Sequence, residues 1–330
     1  MRVGLALAMM VWTGAALAQE ATAIHFGAGV EIDGPGAGFD LGVLRISAPG
    51  RYLLTGTLAE GAVMVDAPDA AVELVLSGVS ITNPQGPAIL IYEAEAARVM
   101  LAPGTENRIA DGGDSDFNAS LYSRASLEIT GDGALDVEGF DEGITSEMHI
   151  EIAGGNITIH ADEDGINANN DGVSVIAISG GMLTILSDTG DAIDSNGTIE
   201  ISGGFTYAWG FAEDAESGLD ADNGVTISGG ILVATGSENG SRMTAITGSQ
   251  PVLAHTFDAP RPAGGIYAVV KDNAPLIEFA PPVAFENLTV SLPELVAGEV
   301  YDLFADNRPA ATLTAGGVEV SVFNIRSRPN

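Results

Sequence analysis

Four copies of one short stretch constrain what this chain can fold into. Ile152-Ala153-Gly154-Gly155 recurs as Ile178-Ser179-Gly180-Gly181, Ile201-Ser202-Gly203-Gly204 and Ile227-Ser228-Gly229-Gly230, with the leading isoleucines 26, 23 and 26 residues apart. A relative, Ile129-Thr130-Gly131, lies 23 residues before the first. Short strands and glycine turns repeating at this period are the pattern of a solenoid. Helical repeats would need long 3.6-period segments, and the sequence has none. Each repeat instead reads as a strand, a Gly-Gly turn, a second strand, and an Asp/Asn loop with a very short third strand. Three strands per turn is the plan of a right-handed parallel β-helix, with Ile, Val, Leu and Ala facing inward at alternate positions. The expected class is all-β.

Residues 19–241 are assigned to this helix, with residues 25 to 120 read as imperfect N-terminal coils. After Ser241 the Gly-Gly period stops and prolines rise, so 242–330 is expected to form a small C-terminal antiparallel β domain or cap. The first eighteen residues read as a secretory leader. Arg2 is basic, Val3 to Ala15 is apolar, and Ala16-Leu17-Ala18 has the form of a signal-peptidase site, with cleavage after Ala18 leaving Gln19. That run is too short to span a bilayer. The mature chain is expected to be periplasmic, or secreted to the cell surface, with no integral membrane segment.

Aligning the Asp/Asn loops on Gly143, Gly165, Ala192 and Gly218 yields aligned columns. Ile144, Ile166, Ile193 and Leu219 fall in an inward column. Three outward columns emerge by the period-2 rule: Glu142, Asp164, Asp191 and Ser217; Thr145, Asn167, Asp194 and Asp220; Glu147, Asn169, Asn196 and Asp222. Tyr122 and Arg124 head two of them. Neighbouring coils lie about 4.8 Å apart. Two carboxylates at that distance repel by roughly 0.9 kcal/mol in bulk water and about 3.5 kcal/mol at an effective dielectric of about 20. Between Ala125 and Ser241 there are 22 Asp and Glu and no Lys or Arg, so no nearby base relieves the ladder. Hard oxygen donors without His or Cys suit calcium. Asn, Asp and Gly also suit solvated turns for conformational reasons alone, but Asp at matching positions in successive coils goes beyond turn chemistry. The metal candidates are Glu142, Asp164, Asn167, Asn169, Asp191, Asp194, Asn196, Asp220 and Asp222.

A second feature is an outward aromatic stripe, Phe205, Tyr207 and Trp209, whose flat faces suit sugar rings. Together with Tyr122 these are the candidate carbohydrate contacts. The stripe could equally dock the C-terminal segment. The whole chain carries 45 acidic residues against 12 basic, and losing Arg2 leaves it near −34, which argues against nucleic acid as a partner. With no cysteine, disulfides cannot staple the fold. No nucleophile motif and no catalytic residue is identified.

The motifs Asp164-Gly165-Ile166, Gly190-Asp191-Ala192-Ile193-Asp194 and Gly218-Leu219-Asp220-Ala221-Asp222, set among strands and Ser-Gly-Gly turns, resemble the calcium-binding, carbohydrate-binding β-helix family of bacterial surface proteins. Its members, carbohydrate-binding domain-containing proteins, share a pectate-lyase-like fold. The likeness extends over Pro49 to Leu58, Gly104-Thr105-Glu106-Asn107, Asn118 to Ser123, and Phe279 to Leu303. It implies calcium in the turn loops and a polysaccharide ligand of plant cell-wall or acidic, polygalacturonate-like type. Family loops often carry Lys or Arg where this chain has Asn167, Asp194 and Asp220, so a uronate carboxylate would need calcium as a bridge. The expected function is non-catalytic polysaccharide binding. The alternatives are a calcium-dependent pectate-type lyase, with Arg124 the one base in register, and a surface adhesin or scaffold.

Overall fold

The computed structural model describes residues 21–113, 115–213, 215–241 and 244–317; the proposed leader at 1–18 lies outside them. The chain winds into a β-helix of about eight turns, almost entirely strand, ending in an antiparallel sheet. Each regular coil contributes to three faces. One coil runs Ile150–Ile152, turns at Gly154-Gly155, continues as Asn156–Ala161, and then forms the short strand Ile166–Ala168. Gly155 turns at φ 96°, and its equivalents Gly181, Gly204 and Gly230 at 85°, 75° and 82°. That left-handed region favours glycine, which fixes the period seen in the sequence.

Successive coils pair in parallel and in register on all three faces. On the first face Ile152 meets Ile178, on the second Ile157 meets Leu183, and on the third Ile144 meets Ile166, which meets Ile193. These inward side chains form one continuous core, with Ile144, Ile157, Ile166, Ile185 and Ile193 fully buried. Burying each such side chain stabilises the fold by roughly 1.5–3 kcal/mol. The corner before the third face is tight. A Cβ on Gly165 would collide with the Ile185 side chain and the Ala192 carbonyl, so a larger residue there would force neighbouring coils apart.

The N-terminal coils are more regular than expected. Gly50–Leu58 and Ala71–Asn83 are long strands that serve two faces each, bending at a register shift between Leu54 and Gly56 instead of at a Gly-Gly turn. A bulge re-aims the chain as the glycine pair does, so the coils lack the repeat motif but keep its geometry. Antiparallel strands close the N-terminal end: Val30–Asp33 pairs with Thr22–Phe26, and Ala37–Asp40 with Val43–Ile46.

At the other end the last parallel rung is Ile246–Gly248 on Val225–Ile227, beyond the expected boundary at 241. Phe285–Ser291 then lies antiparallel on Ile231–Gly236, covering that edge. A four-stranded antiparallel sheet follows, built from Tyr267–Lys271, Ala274–Phe279, Val300–Ala305 and Arg308–Thr314. Its core joins Tyr267, Phe279, Phe285 and Leu303 to Trp209 and Val233 of the helix. No helix among the described residues is long and apolar enough to cross a membrane.

Candidate metal and glycan site

The aligned acid columns stand in the expected register. Tyr122 pairs with Thr145, Thr145 with Asn167, Asn167 with Asp194, and Asp194 with Asp220. The two inner columns are not the solvent-facing ladder that alternation implied. Thr145 is 0% exposed, Glu142 5%, Asn167 6% and Asp191 6%, while Asp194 and Asp220 are half-buried. The third-face strands are only two to five residues long. Glu163 and Glu216, on the loops leading into them, add further acidic charge beside Asp164 and Asp191.

The best-formed site is the trio Asp191, Asp194 and Asp220, where one carboxylate oxygen from each lies within 4.8 Å of the other two. Oxygens around one calcium, each about 2.3–2.6 Å from the ion, lie within roughly 5 Å of each other, so this spacing can hold a single hard cation. Backbone donors fix the inner column. The Asp191 amide donates to Asp164 Oδ1 at 2.8 Å, and the Ser217 amide donates to Asp191 Oδ1 at 2.5 Å. Thr244 Oγ1 donates to Asp220 Oδ1 at 2.7 Å. Each of these donors engages one carboxylate oxygen.

One coil back, Asn167 Nδ2 donates to Glu142 Oε1 at 2.8 Å and to Asp164 Oδ2 at 3.2 Å. Two carboxylates therefore fix which way the amide points, and Asn167 Oδ1 is left buried with no donor. An orphaned acceptor beside a ring of carboxylates is what a cation or an ordered water would satisfy. Thr145 Oγ1 donates to Glu142 Oε2. Asn169 and Asn196 sit on the outer column, where Asn196 Nδ2 donates to the Asn169 carbonyl at 3.3 Å and to Asp171 Oδ1 at 2.9 Å. Asp222 is exposed and acts on Asp194 through its charge.

Electrostatics mark this cluster as unfinished. Burial, followed by the charge of Asp194, pushes Asp164 up to about 8. Burial, followed by the charges of Asp220 and Asp222, pushes Asp194 up to about 7. Asp191 rises for the same reasons, burial first and then Asp164 and Asp220, and burial also raises Glu142. Among the described residues no ion pair reaches any of these acids.

Thr244 and the Ser217 amide were not identified from the sequence. Ser217 stands in the aligned column but its contribution is backbone; Thr244 comes from the segment after the repeat ends, where no periodicity points to it.

The aromatic stripe is a docking surface here, not an exposed sugar platform. Trp209 is 4% exposed and belongs to the C-terminal core, with Tyr207 packed against that core. Tyr207 stacks on Trp209 at 5.2 Å between centroids, and Phe205 tilts against Tyr207 at 5.3 Å. The physical reason is the apolar surround of Leu186, Ile231 and Val233, which the antiparallel sheet covers. Tyr122 is also buried. Its ring meets Phe117 edge-on at 5.2 Å and its hydroxyl donates to Glu147 Oε1 at 3.2 Å; burial, with Glu147, lifts it to about 12. Arg124 pairs with Glu147 at 3.4 Å.

Comparison with known proteins agrees with this architecture. A profile of the carbohydrate-binding domain-containing protein family matches residues 41–259, most of the β-helix. The chain belongs to that family. A family relative from Acetivibrio thermocellus, also named a carbohydrate-binding domain-containing protein, is 37% identical over 128 residues, which is 36% of this chain and 45% of the relative. The match thus spans less than half the length of that relative. Among solved structures, the polysaccharide lyase-like protein from C. thermocellum, as a gadolinium derivative, superposes with a TM-score of 0.53 at 27% identity, covering 70% of this chain and 97% of the other. The family match ends at 259, so the antiparallel sheet from Tyr267 onward lies beyond it.

Proposed function

We propose that this protein is an exported, non-catalytic polysaccharide-binding protein whose third-face columns hold calcium, with a plant cell-wall or acidic polysaccharide as ligand. The observation that carries the metal part is the Asp191, Asp194 and Asp220 trio within 4.8 Å, with the orphaned Asn167 Oδ1 one coil away. Asp164 and Asp222 would complete an all-oxygen donor set of the kind calcium takes. The name of the structural neighbour supports a hard cation, since gadolinium, like calcium, takes oxygen ligands. Bound calcium would neutralise the buried acids and present positive charge to a uronate carboxylate. Family membership supports the polysaccharide. Export rests on the Arg2 to Ala18 leader pattern and is checked by N-terminal sequencing of the mature protein, expected to begin at Gln19.

Calorimetric titration of chelator-treated protein with calcium tests the core of the reading. Heat of binding, together with a calcium-dependent gain of polygalacturonate affinity, is expected; no heat and an unchanged melting temperature would sink it. The neighbour's description as lyase-like raises a second reading, calcium-assisted cleavage. Production of unsaturated uronate absorbance, abolished by Arg124→Ala, would replace binding with catalysis.

A further inference from the structure

We propose that a recess at the N-terminal end of the third face, built around Tyr92 and Arg124, is a subsite for a neutral, hydroxyl-rich sugar unit. The proposal rests on the polysaccharide-binding reading but not on calcium. The recess has a volume of about 340 Å³ and is lined by Pro68, Asp69, Tyr92, Glu93, Ala94 and Arg124. Three successive coils supply these residues at the edge where the third face turns back toward the first. The amide of Ala67 donates to the Glu93 carbonyl and that of Glu95 to the Ala70 carbonyl, both at 2.9 Å, which locks the Pro68-Asp69 turn over the next coil.

The aromatic floor is held rigidly. Phe117 meets the Tyr92 ring edge-on at 6.2 Å, and the Arg124 guanidinium lies 5.0 Å from its centroid. Arg124 is itself held by Glu147 from the following coil. A braced tyrosine offers broad contact area with little entropy left to lose on binding. Around it stand groups of both hydrogen-bonding senses. Arg124 can donate to ring and hydroxyl oxygens, while the exposed carboxylates of Asp69 and Glu93 can only accept. Neither carboxylate has a hydrogen-bond or ion-pair partner among the described residues. Asp69 is held at φ 58°, a left-handed conformation that aspartate tolerates.

This chemistry selects the class of ligand. Sugar hydroxyls donate to carboxylates and accept from a guanidinium, and the C–H face of a pyranose covers an aromatic ring. A uronate would bring its own carboxylate against Asp69 and Glu93, so the recess disfavours it, in contrast to a calcium-loaded acid cluster. The two sites lie on one track. By register Tyr92 is followed by Arg124, Glu147, Asn169, Asn196 and Asp222 in one column. At about 4.8 Å per coil this track is roughly 24 Å long, so one extended polysaccharide could reach both ends.

The test is titration of chelator-treated protein with neutral β-1,4-linked glucose and xylose hexasaccharides, followed by calorimetry or ligand-observed NMR. Binding of at least one without calcium is expected. Tyr92→Ala should weaken it about tenfold or more, as loss of an anchoring aromatic contact would. The surface double variant D69N/E93Q, which keeps size and backbone preference, should weaken it with melting unchanged. Failure of both hexasaccharides to bind wild type, or wild-type affinity in both Tyr92→Ala and D69N/E93Q, would overturn the subsite. Calcium-dependent polygalacturonate binding that persists alongside such a failure would leave the earlier reading standing, so the two can fall separately.

Discussion

Two faces of this β-helix stack ionisable side chains along the coil axis, and they handle the repulsion in opposite ways. On the first face, Arg51, Glu73, Arg98 and Glu128 follow one another by strand register. Signs alternate, and the contacts close: Arg51 to Glu73 at 2.9 Å, Arg98 to Glu73 at 3.5 Å and Arg98 to Glu128 at 2.8 Å. Glu73 is buried to 2% exposure, with the guanidiniums of Arg51 and Arg98 carrying the counter-charge. On the third face Asp164, Asp191, Asp194 and Asp220 stack with neutral donors but no ion pair among the described residues, and three of the four are pushed toward their neutral forms. Equal spacing thus produces a self-neutralised ladder in one place and an incomplete one in the other. On the proposed calcium reading, what completes the second comes from solution.

Calcium is expected to separate the two faces most strongly. Removing it is expected to lower the melting temperature by roughly 10 °C, since saturating a site about a thousandfold above its Kd contributes about 4 kcal/mol and each kcal/mol moves a chain of this size by about 2 °C or more. A thermal melt with chelator, with and without added calcium, reads this directly. No response would mean that the third-face ladder is stable as protonated acids. The next largest effect belongs to the first face. Glu73→Gln leaves Arg51 and Arg98 with less counter-charge in a buried setting and should destabilise by about 3 kcal/mol whether or not calcium is present. If its cost depended on calcium, the two ladders would not be independent.

Much of this contrast was legible in the sequence. The Gly-Gly period fixed the coil, and the Gly143, Gly165, Ala192 and Gly218 alignment gave the register that the strand pairing shows, because a period-2 pattern with small residues at a tight corner leaves little freedom to slip. Burial of the columns was not legible. Alternation says which way a side chain leaves the strand, but not how deeply its surroundings will bury it, as they do Glu142, Thr145 and Asp191. The role of Trp209 was undecidable for a related reason: an outward aromatic serves a sugar or a docked sheet equally well, and the sheet that covers it comes from the segment after the repeats end. The first-face ladder is not legible in the sequence, because Arg51, Glu73, Arg98 and Glu128 stand in coils that carry no Gly-Gly motif to align them.

The pH response should separate the faces further. Asp164 and Asp194 stand near 8 and 7 in the folded, metal-free protein against about 4 for an ordinary aspartate. A raised acid binds more protons folded than unfolded, so its stabilising contribution is complete below about pH 4 and is lost as pH rises through 7 to 8. Metal-free protein is therefore expected to lose roughly 2 kcal/mol or more between pH 5 and about 8, while calcium affinity grows over the same window as the competing protons leave. Asp194→Asn should flatten the metal-free slope. Melts of the chelated protein at several pH values measure it, and a slope of the opposite sign would mean the acids are already neutralised within the chain.

The smallest effect is expected from extending the neutralised first-face ladder. Beyond Glu128 the first-face column continues with Glu151, Ala177 and Glu200, so the alternation fails at Glu151. Burial raises Glu151, and the charge of Glu128 raises it further. Glu151→Arg would restore the sign pattern by placing a guanidinium on Glu128 from the side opposite Arg98. Because this part of the face is half-exposed, the gain should stay below about 1 kcal/mol and shrink in high salt. The same substitution logic on the third face, Asp194→Arg, should act differently: it would supply charge but destroy the calcium site, so calcium would no longer raise the melting temperature. Stabilisation by both changes without loss of the calcium response would show that charge alone, and not an oxygen cage, is what the acid columns lack.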